Sequence, residues 1–258
     1  VAEYIGHDHN GKAIYERDEN GNLTNIVKDD TKFIMDEIRR LNGHAPLKPK
    51  YTFTIEAQKV IENDILVPRY YWSSKAKEIQ KKAKAQQIKL IPIKQLIDEG
   101  VISYFDGNGS PKSEFKGTGD YPYIRVKDIV NWQIYKDPTA FIPQSEFDEL
   151  YDERKKLKPK DILYVRRGSY RIGSVAMVSP YDIDVILTRE ILVLRIEDLN
   201  NHYGITPEYL LYALSHKLVQ EQSENKVFID TTLPNIASRW QELFIPVYEN
   251  KDDYSGVC

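Results

Sequence analysis

The chain has 258 residues, 29% charged and 41% hydrophobic, with a formal net charge of -3 at pH 7; that length suits one large domain or two small ones with a real core, and the slight acidity leaves any anion-binding surface to local patches. A lone cysteine, Cys258, excludes an internal disulfide framework and fits a reducing, cytoplasmic setting. No apolar run reaches membrane-spanning length and no basic-then-apolar leader opens the sequence, so neither membrane insertion nor export is expected.

Residues 1–29 are polar and turn-rich, with Asn10-Gly11 and Asn20-Gly21 bracketing KAIYER, and read as an irregular arm with hairpin-like turns. Asp30 or Thr31 is placed to cap a helix through about Leu41, where Phe33, Ile34, Glu37, Ile38 and Leu41 recur at helical spacing and Gly43 stops it. After a Pro-containing linker, residues 51–72 give a small amphipathic unit, and residues 73–87 read as a capped, very basic helix. A boundary near residue 88 divides this mainly helical region, 1–87, from a second region, 88–250.

The second region opens with IKLIPIKQLIDEGVISYF, which predicts a strand, a helical turn and a strand; DGNGSPKSEFKGTGD then reads as a functional loop. YPYIRVKDI resumes as a strand and SEFDELYDERKKL as a helix, and residues 161–196 predict three or four strands in series. Thr206-Pro207 caps and opens a last long helix with Leu210, Leu211, Leu214 and Leu218 on its buried stripe. LPNIASRWQELFIPVY supplies a short helix and a final strand. The fold class is therefore α+β: a mixed, twisted β-sheet with flanking helices, preceded by a small mainly helical region.

Positive charge is concentrated twice. From Arg69 to Lys94 there are eight Lys or Arg against the single acid Glu78, and from Arg154 to Arg171 eight against Asp161. Segregation of this kind suits a phosphate backbone. Arginine at a hairpin turn can aim its rigid donor fork at phosphate or at the acceptor edge of guanine. The 18 tyrosines against 8 phenylalanines suit surfaces that need flat apolar contact with a hydroxyl, though core-edge positions use such residues too. There is no G-K-[ST] phosphate loop, no G-x-G-x-x-G after a strand, no Cys/His zinc set and no G-x-S-x-G elbow. His7, Asp8 and His9 carry metal-ligating groups on a polar arm, and Glu224-Asn225-Lys226 has the letters of a nuclease motif but follows a helix; no metal is expected at either.

With these residues in view, the second region resembles the target-recognition domain of type I restriction-modification specificity subunits and of fused adenine DNA methyltransferases. LIPIKQLIDEGVISYFDGNGSPKSEFKGTGDYPYIRVKDI is similar to the family's opening, LKPKDILYVRRGSYRIGSVAMV to its central strand pair, and TPEYLLYALSHKLVQEQ with TTLPNIASRWQELFIPV to its close. YIGHDHNGKAIYERDENG resembles the tail that follows the catalytic domain of such methyltransferases. The methylating N-P-P-[YF] is absent, and the chain is read as lacking the cofactor-binding F-x-G-x-G as well, with the chemistry left on a missing part. The resemblance implies a non-catalytic recognition module for double-stranded DNA, reading one half-site. It also implies a methyltransferase domain or subunit that carries S-adenosylmethionine, with a restriction subunit as a further partner; no cofactor is expected in this chain. It places DNA contacts at Lys112, Ser113, Arg125 and Lys127 from the first stretch and at Arg166, Arg167, Tyr170 and Arg171 from the second. The competing readings are a metal-dependent nuclease and a protein-interaction domain that binds acidic partners.

Overall fold

A computed structural model describes residues 4–8, 10–41, 52–72, 81, 83–85, 88–168, 171–228 and 233–248. The chain divides into two compact units, Val1–Ser73 and Ser74–Cys258. The basic helix expected over 73–87 falls largely outside the described residues.

In the first unit the expected irregular arm is an ordered hairpin. Strand β1 (Tyr15–Arg17) pairs antiparallel with β2 (Leu23–Val27). The Asp18 carboxylate closes the turn by accepting the Asn20 and Asn22 amides, each at 2.9 Å, and the Asn22 amide foremost holds its pKa below the usual carboxylate value. Helix α1 (Thr31–Leu41) follows. Its first turn is tied by Asp29, which accepts the Thr31 amide at 2.9 Å, rather than by Asp30, whose carboxylate accepts the Tyr4 amide at 3.1 Å. Two short helices, α2 (Ala57–Asn63) and α3 (Pro68–Tyr71), complete the unit.

The second unit begins its described core with β3 (Ile88–Pro92), α4 (Ile93–Asp98) and β4 (Ile102–Asp106), the strand–helix–strand expected from sequence. Next come β5 (Tyr123–Ile124), the hairpin β6 (Ile129–Val130) and β7 (Gln133–Ile134), and α5 (Gln144–Leu150). The strands in series are β8 (Ile162–Val165), β9 (Val175–Met177), β10 (Ile186–Leu187) and β11 (Ile191–Ile196). The central sheet is antiparallel with order β4-β11-β8-β9, and β10 pairs β5 in parallel.

The near-continuous apolar runs ILYV and ILVLRI are explained by burial on both faces of this sheet, because successive strand residues point to opposite sides. Ile162, Tyr164, Val175, Leu192 and Leu194 enter one core; Leu163, Val165, Ala176, Ile191 and Val193 enter the other. The first core is roofed by α4 and the C-terminal helices. The second is closed by Ile124, Ile129, Leu157, Val178 and Leu187. The Tyr164 hydroxyl is sealed in the first core with no hydrogen-bond partner among the described residues, and burial pushes its pKa up.

The single long helix expected from Thr206 is two helices, α6 (Pro207–Ser215) and α7 (Lys217–Glu224). His216 between them is extended, and its ring nitrogen accepts the Leu218 amide as the cap of α7. The break is held by Gln220, whose side-chain amide donates to Leu214 O at 2.6 Å and Gly173 O at 2.8 Å. That satisfies a carbonyl the first helix leaves open at its end. Strand β12 (Phe244–Tyr248) then returns to pair antiparallel with β3, from Phe244 opposite Pro92 to Tyr248 opposite Ile88.

Candidate nucleic-acid interface

Three stretches remote in sequence meet beyond the end of β8. Arg166 donates its amide to Glu190 O at 3.0 Å, and Gly168 donates to Pro234 O at 3.1 Å, while Arg167 bridges Asn235. Gly168 has φ +134° and lies so close to Val126 that an added Cβ would sit 3.3 Å from its side chain. Arg171 reaches back to Ile129 O at 3.4 Å. Glycine at 168 is thus favoured by the backbone conformation, and any side chain there would press on Val126 of the 125–129 segment. Arg125, Lys127, Arg166, Arg167 and Arg171 belong to one junction; Tyr170 lies outside the described residues.

The arginines of the junction are not equivalent. The Arg125 guanidinium donates Nε to Asp128 at 2.8 Å and one terminal nitrogen to Asp137 at 2.6 Å. Its amide also binds Asp128 at 2.9 Å, which closes the 3-10 turn Val126–Asp128 that carries Lys127. The Asp128 hydrogen bond foremost raises the Arg125 pKa. Asp137 is held far below the usual carboxylate range by the Thr139 hydroxyl first and Arg125 next. Arg125 therefore has a bracing geometry: its fork is spent on internal carboxylates. Arg166 is paired with Asp106 at 3.0 Å, but both side chains keep solvent contact. Lys127 is exposed at 3.3 Å from Asp137.

Lys112 and Ser113 are exposed and anchored on α5. The Lys112 amide donates to Glu146 at 2.9 Å and its amino group lies 3.5 Å from Glu149. The loop leading to them is pinned across β10 and β11: Gly107 donates to Ile191 O at 2.9 Å and Gly109 to Leu187 O at 3.1 Å. A Cβ on Gly107 would overlap the Thr188 carbonyl, so the glycine serves close backbone packing.

This stretch corrects one expectation. Phe105-Asp106-Gly107-Asn108-Gly109 does carry the letters F-x-G-x-G inside the chain. Its two glycine amides are committed to strand carbonyls, and no helix follows at once. A cation that sequence reasoning passed over is Arg189, exposed on the turn between β10 and β11. Its carbonyl lies 3.4 Å from the Arg166 guanidinium, and its side chain faces Gly109. The signal was only a charged residue between two strands.

The basic run 154–160 is dispersed rather than presented as one patch. Arg154 pairs with Asp152, Lys156 with Glu153 and Lys160 with Glu208, while Lys155 donates to Gly107 O. Elsewhere, Asp8 spends a carboxylate oxygen on the Asn10 and Lys12 amides, and Lys226 pairs with Glu242. Among the described residues no three His, Cys, Asp or Glu side chains gather as a metal site, and no helix is long and apolar enough to cross a membrane.

These features define an α+β unit in which loops beyond one end of an antiparallel sheet gather arginines among carboxylates. The chain is similar in structure to the type I restriction-modification system S subunit from M. genitalium, at 17% identity and TM-score 0.43, over 66% of this chain and 37% of that one. A chain solved in work on complex assembly and conformational transition of the type I R-M system gives 15% identity and TM-score 0.43, over 89% and 59%. The HsdS subunit from Thermoanaerobacter tengcongensis gives 15% and 0.42, over 94% and 55%. The chain thus spans between 37% and 59% of the length of these solved chains. No protein-family model and no curated protein matches it.

Proposed function

We propose that residues 88–250 are a sequence-specific duplex-DNA recognition module of a bacterial restriction-modification system. The module directs an adenine methyltransferase, and a restriction subunit where the system has one, to its site in the cytoplasm. The observation that carries this reading is the junction itself: residues 125–129, 166–168 and 171–173, from stretches whose motifs resemble those of target-recognition domains, meet with Gly168 seated against Val126 and Arg171 reaching Ile129 O.

Affinity and sequence preference divide among different side chains. Lys127, Lys112 and Ser113, all exposed, supply phosphate contacts. Arg166, Arg167, Tyr170 and Arg171 supply base-edge contacts in the major groove. Arg125 acts through others: by holding Asp128 and Asp137 it fixes the turn that presents Lys127. S-adenosylmethionine and the flipped adenine belong to the partner.

The test is selection of bound duplexes from a pool with a randomised centre, followed by a salt titration of the enriched sequence. One short motif should emerge, and its affinity should fall steeply with salt. Arg166→Ala should relax the preference at one position, whereas Lys127→Ala should weaken all duplexes alike and flatten the salt slope. Equal, salt-insensitive retention of every duplex would defeat the reading.

A further inference from the structure

The β6–β7 hairpin turns on two residues, Asn131 and Trp132, with Val130 opposite Gln133. Both central residues are left-handed, φ +50° and φ +66°, as a two-residue hairpin matched to the strand twist requires. Asparagine tolerates that conformation and the second position ordinarily takes glycine, because a bulky side chain there is strained. Here the second position is tryptophan, and the residue is 48% exposed. The backbone around it is fixed: Trp132 O accepts the Met177 amide at 3.1 Å, and Trp132 bridges Ala176 on the sheet edge. Neither core claims the indole among its residues. A residue that strains its turn and leaves half of a large aromatic surface in water is not explained by folding.

The hairpin's position supplies the partner. β6 starts at Ile129, whose carbonyl faces Arg171, and the turn just before it presents Lys127, 60% exposed. Trp132 thus lies three residues beyond Ile129 along the same hairpin, on a backbone tied to β9 at Ala176 and Met177. We infer that Trp132 is an aromatic contact to the same DNA duplex, packing against bases or sugars beside the recognised sequence while Lys127 holds the adjoining phosphates. This rests on the recognition reading and adds an uncharged anchor to it. Aromatic side chains suit that task because they bury large area with few rotors and every base offers a flat face.

The experiment pairs two readouts on the full chain, Trp132→Gly against wild type. Glycine relieves the left-handed turn, so thermal unfolding should occur at the same or a higher temperature. Binding to the enriched duplex should nevertheless weaken by roughly ten-fold, with an unchanged salt slope because no charge is lost. Trp132→Phe should recover most of the affinity. Weakened binding together with a lowered unfolding temperature would make Trp132 a structural residue and overturn the inference. Unchanged binding in the variant, with wild type still selecting its sequence, would overturn it while leaving the recognition reading intact. Failure of wild type to prefer any duplex would remove both.

Discussion

The two units put their apolar side chains to very different use. From Ser74 onward, alternating strand residues fill two cores on opposite faces of one sheet, and Leu194, Ile162 and Val193 are wholly buried. Among residues 4–8, 10–39 and 52–72 no apolar side chain is buried. Phe33 and Ile38 on α1 remain half exposed, and Ile34, Phe53, Ile55, Val60 and Leu66 line an open groove of about 470 Å³. The difference is one of reach. The first unit has a two-stranded hairpin and short helices, whereas the second closes pairs as distant in sequence as β3 with β12. A loop junction that must hold arginines in fixed places needs the second kind of support.

The sharpest way to break this contrast is a pair of truncations. Leu194→Ala should cost about 2–5 kcal/mol in urea unfolding, because it opens a cavity in a close-packed layer. Leu66→Ala, at a side chain 88% exposed, should stay within about 0.5 kcal/mol. Equal costs would erase the distinction. Next in size is Asp161→Asn, which leaves Arg195 without the carboxylate that now lies 2.7 Å away at 2% exposure; a loss of about 3 kcal/mol is expected. Tyr164→Phe should move the other way, raising stability by about 1 kcal/mol, since it deletes a sealed hydroxyl with no partner among the described residues.

Acid should separate the junction from the cores. Asp137 has a folded pKa below its ordinary 3.8. Its contribution is therefore complete above that value and disappears as pH falls through the lowered folded one. Wild type and Asp137→Asn should differ in stability at pH 7 and converge in strong acid; a constant gap would show that Asp137 acts by packing rather than charge. The smallest effect concerns affinity. Asp106→Asn should free the Arg166 fork and tighten duplex binding several-fold. Weaker binding would mean that Asp106 orients Arg166 rather than competing for it.

Legibility in the sequence followed the range of the interactions. The strand–helix–strand from Ile88, the hairpin of β8 and β9 and the cap at Thr206 depend on near neighbours, and periodicity or a capping residue announces them. The break at His216 was illegible, because Gln220 secures it by binding Gly173, 47 residues away. Arg125 divides the same way. Asp128, three residues on, was a visible partner that could have marked it as a brace, whereas Asp137 becomes its neighbour only through the β6–β7 hairpin. The glycine loop at 107–109 was read for chemistry, but its spacing records how tightly one backbone passes another.

The pairing of Ile88 with Tyr248 has an architectural corollary. The strands that open and close the stretch 88–248 lie side by side, and Ile91, Ile245 and Val247 sink from them into the first core. A body bounded in that manner can be spliced into a host protein, or copied in tandem, with little disturbance to either fold. The loops beyond the sheet would travel with such a body, each set carried on its own cores.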